Sequence, residues 1–311
     1  MQYRKLGRTG LNVSVIGYGA SPLGNAFGEI DPSQGLRAVH LAIDRGINLF
    51  DVSPYYGLTL AETRLGEALN GHRENVILMT KCGRYGANEF DFSAARIHKS
   101  IDESLQRLRT DHVDILLAHD IEFGDWKQLS EETFPALLEL KKQGKTRFIG
   151  ASGLPLGILR RAAEEGVLDL ILSYCRYNLL IQDLPLLLAP AVQQQGIGLI
   201  NASPLHMGLL TGNDPPDWHP APTEVKQAAR EVTSFCRAKG LSVSKVALRF
   251  CLDYPMAAST LTGMGSPAEV TRNLETLAAT SDPQILEQIR LITGSRFNLT
   301  WPSGKPENSS L

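Results

Sequence analysis

Asp51, Tyr56, Lys81 and His119 are residue types that move protons, and each stands at or just past the end of a short apolar run. Asp51 closes Ile47-Asn48-Leu49-Phe50, and Tyr56 follows in the next loop. Lys81 closes Val76-Ile77-Leu78-Met79-Thr80, and His119 closes Val113-Asp114-Ile115-Leu116-Leu117-Ala118. An ammonium beside a phenol favours the phenolate, so a tyrosine with a free pKa of about 10 becomes a better acid next to a lysine. Burial of Tyr56 near Lys81 is expected to bring that phenol towards working pH, with Asp51 keeping Lys81 charged and His119 orienting a substrate oxygen. Taken singly, Asp51 reads as a turn cap, Lys81 as a solvated side chain and His119 as a satisfied core histidine. Together, at matching strand ends, they read as a proton-transfer device serving hydride transfer.

Such side chains meet only if the strand ends converge. Strand-like runs lie near 15–18, 47–51, 76–81, 113–118, 146–151, 169–174, 197–202 and 258–262. Amphipathic stretches separate them at 32–45, 60–70, 93–108, 131–143, 155–165, 184–195, 224–239 with 242–253, and 267–278. Pro32, Pro155 and Pro267 fit first helical turns, and Gly46, Gly144, Gly166, Gly196 and Gly240 fit left-handed caps just past helix ends. Strand–helix alternation predicts a parallel sheet, either a closed (β/α)8 barrel or an open doubly wound sheet. In an open sheet the ends of the second, third, fourth, fifth and seventh strands fan apart, and no GxGxxG follows the first strand. The expectation is therefore a (β/α)8 TIM barrel spanning residues 1–311 as one domain, preceded by a β-hairpin around Tyr3–Leu6 and Val13–Val15.

Composition excludes several other classes. A net charge of -2 over 311 residues gives no electrostatic case for nucleic acid or an anionic membrane. No apolar stretch approaches the roughly 18 residues of a membrane span, and the first residues do not read as a secretory signal. The four scattered cysteines (Cys82, Cys175, Cys236, Cys251) read as reduced thiols of a cytoplasmic protein, and Cys82 as a buried, inert one. The seven histidines show no metal-ligand spacing, so no metal is expected. The closing Ser309-Ser310-Leu311 reads as a loose tail rather than a peroxisomal address.

The segments Phe50-Asp51-Val52-Ser53-Pro54-Tyr55-Tyr56-Gly57, Leu60–Leu69, Leu105–Asp114, Gly144–Ser152 and Ser203–Gly212 resemble the signatures of the aldo-keto reductases. The likeness runs over nearly the whole chain. It implies a barrel that binds a nicotinamide dinucleotide without a Rossmann fold, a catalytic tetrad at Asp51, Tyr56, Lys81 and His119, and Tyr56 as general acid/base. It also implies that Ser152 contacts the carboxamide, that Ser203, Leu205, Gly208 and Leu209 wrap the pyrophosphate, and that Asn273 holds adenine. Where the family often carries a lysine and an arginine this chain has Gly263 and Glu269. A carboxylate suits a free ribose 2′-OH and repels a 2′-phosphate, so NAD is expected over NADP.

Three positions depart from the family pattern: Gly153 replaces an asparagine, Tyr174 a glutamine, and Ala202 an aromatic ring that stacks on nicotinamide. Tyr174 is the candidate substitute for that ring. The turn at 150–153, the segment Ile200–Leu205 and the tail Thr300–Gly304 are similar to sugar-oxidising members. The resemblance thus implies NAD-dependent oxidation of L-galactose at C1 to L-galactono-1,4-lactone, a step of ascorbate formation, by a monomer or weak dimer. Phe123, Trp126 and Trp301 are candidate sugar-pocket walls, and Asp120, Asn201 or His206 candidate partners for its hydroxyls. Competing readings are an aldehyde or pyridoxal reductase of the same family, a cofactor-sensing subunit like the β subunits of potassium channels, and a Schiff-base aldolase using Lys81.

Overall fold

The computed structural model describes residues 1–309, so the reading of the last three residues falls largely outside the described residues. Two short strands, β1 (Tyr3–Lys5) and β2 (Asn12–Ser14), pair antiparallel around a turn in which Gly10 is left-handed. Eight further strands follow: β3 (Ile16–Gly19), β4 (Leu49–Asp51), β5 (Ile77–Cys82), β6 (Val113–Ala118), β7 (Thr146–Gly153), β8 (Leu170–Tyr174), β9 (Gly198–Ala202) and β10 (Ser259–Gly263). All pair in parallel, in chain order, and β10 closes on β3. The fold is the expected (β/α)8 barrel with an N-terminal hairpin.

The hairpin is a plug. Leu6, Leu11 and Val13 are buried in one cluster with the barrel-interior residues Met79, Ile115 and Leu170. Burying each is worth about 1.5–3 kcal/mol, and the plug leaves the opposite end of the barrel free for chemistry. Gly7 lies so close to the backbone of Ile197 and Gly198 that no side chain could stand there.

The helices are α1 (Pro32–Asp44), α2 (Leu60–Ala68), α3 (Ala94–Leu108), α4 (Trp126–Gln128), α5 (Phe134–Lys142), α6 (Leu156–Glu164), α7 (Leu184–Leu187), α8 (Ala189–Gln195), α9 (Thr223–Ala238), α10 (Val243–Leu252), α11 (Pro267–Glu275) and α12 (Pro283–Thr293). Local signals set their ends. Asp31 caps α1 by accepting from Ser33 N at 2.8 Å, and Ser93 caps α3 by accepting from Arg96 N at 3.3 Å. The glycines at 46, 144, 166, 196 and 240 all take positive φ, as expected of helix stops.

Four details differ from the sequence reading. Pro155 is the N-cap of α6 rather than a first-turn residue. The stretch 131–143 begins earlier and contains a π turn (Leu129–Thr133), in which Phe134 N donates five residues back to Leu129 O. Pro135, next in line, has no N–H to offer a four-residue spacing. The stretch 184–195 breaks at Leu188, two residues before Pro190, into α7 and α8. Finally, α12 was not anticipated, although its signals are plain: Asp282 accepts from Gln284 N at 2.8 Å, and Ile285, Leu286, Ile289 and Ile292 pack with the α9 cluster.

Candidate active site

Strand side chains alternate between faces, so the interior packing fixes which strand-end residues point inward. Leu49, Met79, Leu117, Leu172, Ile200 and Leu261 share the interior cluster. Two residues further on, the same alternation turns Asp51, Lys81, His119, Tyr174, Ala202 and Gly263 towards the barrel mouth.

Three of these converge with Tyr56. Lys81 Nζ donates to Asp51 Oδ1 at 2.5 Å, to Val52 O at 3.0 Å and to Tyr56 Oη at 3.2 Å. The ammonium also lies 4.7 Å from the centre of the Tyr56 ring. The His119 ring stands edge-on to Tyr56, with centroids 5.8 Å apart and planes at 88°. Ser53 Oγ accepts from Tyr55 N at 3.1 Å and meets His119 Nδ1 at 3.0 Å. The Ser53 hydroxyl can donate to Nδ1, and in that tautomer the neutral imidazole carries its proton on Nε2 as an outward donor.

The electrostatics correct one expectation. Burial raises the Tyr56 phenol to about 12, more than Lys81 lowers it. Removing water from a phenolate costs more than one ammonium returns, because Asp51 neutralises much of that ammonium. Burial alone would strip Lys81 of its proton, but Asp51 and then Tyr56 outweigh it and hold the amine above its ordinary value. Burial raises the Asp51 carboxyl, and Lys81 pulls it back. His119 falls well below the ordinary imidazole range, through burial and then the charges of Lys81 and Arg84, so it is neutral at neutral pH. Cys82, buried beside Lys81, has its thiol pushed up by burial and is not poised to ionise.

A second ion pair flanks His119. Arg84 Nη1 donates to Asp120 Oδ2, which lies 3.7 Å from His119 Nε2. Asp120 sits in left-handed backbone at φ 52°, and its N–H reaches Ser152 Oγ at 3.4 Å. The Arg84 guanidinium lies 3.8 Å above the Tyr55 ring, and Phe123 stacks on Phe90 at 4.1 Å beside it. Sequence reasoning missed Arg84, Tyr55 and Ser53, although all three lie within three residues of Tyr56 or Lys81.

Asp120 leads into a buried carboxyl. Glu122 Oε1 accepts from Leu154 N at 3.2 Å and from Ser303 Oγ at 2.9 Å, while Oε2 has no partner among the described residues. Burial, reinforced by Asp120, raises its pKa to about 8. A Cβ at Gly153 would stand 2.5 Å from that Oε2, so Glu122 fills the volume an asparagine side chain would need.

Other candidates fall elsewhere. Asn201 is one residue out of phase with Ile200 and Ala202, so it faces away from the interior, and its Nδ2 donates to Tyr177 O at 3.2 Å. Trp126 packs edge-on to Phe134 with the Arg161 guanidinium 3.9 Å from its ring, in the outer layer. Trp301 is buried edge-on against His206 and His219. His206, buried and lowered to about 3, bonds Asn178. Among the described residues, none of these four hydrogen-bonds to or stacks on Asp51, Tyr56, Lys81 or His119.

The segment after β9 has the character of a cradle. Ser203, His206 and Met207 take positive φ, as does Gly208 at 109°. The turn closes on itself, His206 N donating to Ser203 O at 2.9 Å, Gly208 N to Leu205 O at 3.1 Å and Leu209 N to His206 O at 3.3 Å, so it offers a pyrophosphate a bent backbone seat rather than a row of open N–H groups. Leu205 and Leu209 lie in the same turn, and Ala202 leaves the strand end small. Near β10, Gly263 is exposed, and Glu269 Oε2 accepts from Gly265 N at 2.6 Å at the start of α11, so that carboxylate is bonded rather than loose in solvent. Asn273 is half-buried one turn further along α11. Among the described residues no group of three or more His, Cys, Asp or Glu could hold a metal ion, and no helix is long and apolar enough to cross a membrane.

Comparison with known proteins agrees with this architecture. Residues 15–293 match the aldo/keto reductase family. The chain is 47% identical to L-galactose dehydrogenase of Arabidopsis thaliana, with 99% of each chain covered. It is 30% identical to D-threo-aldose 1-dehydrogenase of a Pseudomonas species, over 86% of this chain and 90% of that one. A solved aldo-keto reductase from Bacillus halodurans, in its holo form, superposes with a TM-score of 0.78 at 24% identity and covers all of both chains. The protein belongs to the aldo/keto reductase family of oxidoreductases, enzymes that work with nicotinamide cofactors.

Proposed function

We propose that this protein oxidises L-galactose at C1 to L-galactono-1,4-lactone, with NAD as the hydride acceptor. The observation that carries the reading is the 47% identity, end to end, with an enzyme named for that sugar. The Lys81–Tyr56 contact at 3.2 Å supports it as the proton-transfer machinery.

Nicotinamide dinucleotide fits the mouth: Ser203, Leu205, Gly208 and Leu209 would hold its pyrophosphate, Asn273 its adenine, and Ser152 with Tyr174 its nicotinamide end. When bound there it supplies the hydride acceptor. The protein's own groups handle the proton. The anomeric hydroxyl lies between Tyr56 Oη and His119 Nε2; Nε2–H donates to the sugar oxygen and fixes its lone pairs. With its pKa raised to about 12, the Tyr56 phenol must first release its own proton to solvent, a step that burial opposes and the Lys81 ammonium favours; as C1 loses hydride, the phenolate Oη then takes the hydroxyl proton. Asp51 holds Lys81 protonated and aimed.

NAD is favoured over NADP because no cation stands at 263 or 269, and the Glu269 carboxylate would face a 2′-phosphate with like charge. The monomer or weak dimer and the cytoplasmic setting belong to the same reading. The test is NADH formation over a panel of aldoses, with NAD and NADP in parallel. L-galactose with NAD should lead; turnover confined to NADPH with simple aldehydes would overturn the proposal. Glu269→Gln should narrow the NAD preference by less than tenfold, since the fixed carboxylate supplies repulsion but no new contact.

A further inference from the structure

Among the described residues, Arg84 is the one cation at this mouth that the reaction above does not use. Its Nε reaches Gly86 O at 3.4 Å and its Nη1 is taken by Asp120, while Nη2 bonds to no described residue. The side chain keeps 16% of its surface open, whereas Asp120 is 3% open. Tyr55 supports one face of the guanidinium at 3.8 Å, and Phe90 and Phe123 lie 5.2 and 5.6 Å from it. A planar fork held between a buried carboxylate and aromatic rings has lost its rotamer freedom before any ligand arrives. That is how a binding site is built rather than a surface pair.

Its place relative to His119 sets what it can touch. Asp120 Oδ2 is 3.7 Å from His119 Nε2 and carries Arg84 Nη1. The guanidinium therefore stands one polar atom beyond the nitrogen that holds the reacting oxygen. In a sugar, the oxygen on the adjacent carbon lies about one hydrogen-bond length, roughly 2.8 Å, from the first. The pair is also neutral overall, as is Lys81 with Asp51, so the mouth offers directed donors without a net field to draw in sugar acids or sugar phosphates.

From this geometry we propose that Arg84 is a specificity residue whose free Nη2–H donates to the C2 hydroxyl oxygen of the aldose, with Asp120 as the positioning residue behind it. The enzyme is thereby selective for neutral 2-hydroxy aldoses over deoxy sugars and simple aldehydes. This rests on the aldose-oxidation reading and deepens it.

The experiment compares kcat/KM for L-galactose and 2-deoxy-L-galactose in wild type, Arg84→Met, Arg84→Lys and Asp120→Asn, with NADH binding by fluorescence as a check on folding. Wild type should prefer the 2-hydroxy sugar by about tenfold to a hundredfold, the range for one substrate hydrogen bond from a charged donor. The ratio should fall below about threefold in Arg84→Met, with the loss in KM, and recover in part in Arg84→Lys. Asp120→Asn should lower the same ratio without moving the pH profile. Equal use of both sugars by wild type overturns the proposal, even if Arg84→Met fails to fold. So does a loss in Arg84→Met that is the same for both sugars. If Asp120→Asn slows both alike and shifts the pH profile, Asp120 acts through His119 and its assigned role falls. Absence of any aldose oxidation by wild type is a separate result, and it sinks the underlying reading as well.

Discussion

The two halves of the barrel mouth are made by different means. On the side of β4, β5 and β6, side chains do the shaping: Lys81 is pinned by Asp51, Val52 and Tyr56, and Arg84 by Asp120 and Tyr55. On the side of β9 and β10 the backbone does it, through left-handed Ser203, His206, Met207 and Gly208 and an exposed Gly263. Side-chain pairs in a dry site move protons and fix charge. A bent backbone shapes a seat for a ligand without placing a charged side chain in it. The contrast separates chemistry from holding, and substitutions should separate the same way.

The largest effect belongs to the paired side. Tyr56→Phe removes the hydroxyl and leaves the ring, so kcat should fall by about 10²–10⁴-fold while NAD affinity stays within a few-fold; an equal fall in both would break the contrast. Lys81→Met should cost nearly as much rate, and it also strands the buried Asp51 carboxylate, a loss of about 3–5 kcal/mol in chemical unfolding. Adding Asp51→Asn to Lys81→Met should restore much of the stability and none of the turnover.

A pH effect comes next. Glu122 titrates at about 8 in the fold, above the ordinary 4.5 of a free glutamate. A carboxyl raised on folding contributes stability that is complete below its unfolded value and is lost as pH rises through its folded one. The melting temperature of wild type should therefore decline between pH 4.5 and 8 relative to Glu122→Gln, whose amide cannot ionise. Parallel curves for the two proteins would show that Glu122 has no such part. The smallest effect should come from Trp126→Leu and Asn201→Ser, which ought to change stability but leave KM within about twofold, because both side chains face the outer layer. A large rise in KM in either would blur the boundary between the halves.

Much of this was legible in the sequence. Apolar runs ending in Asp51, Lys81 and His119 gave the strands, their direction and their meeting point, because a parallel barrel leaves few other places for such groups. Asn201 and Trp126 went astray for a physical reason: nearness in sequence to a strand end says nothing of the face a side chain takes, and one residue of phase reverses it. The Tyr56 phenol was expected to fall and rises instead, since burial depends on neighbours that no local motif records. Arg84 escaped because its partner, Asp120, is 36 residues away. The helix after Asp282 was not anticipated despite a visible cap, because it lies beyond the eighth strand–helix unit.

The contact between Gly153 and Glu122 has an evolutionary consequence. The two positions compete for one volume, so neither can change freely without the other. Introducing Gly153→Asn alone should collide with the carboxyl and loosen the Ser303–Asn308 strand of chain that wraps residue 122. Joined to Glu122→Ala it should be tolerated. A lineage moving between this arrangement and the asparagine-bearing one would have to cross in paired steps, with the C-terminal segment rewritten in the same passage.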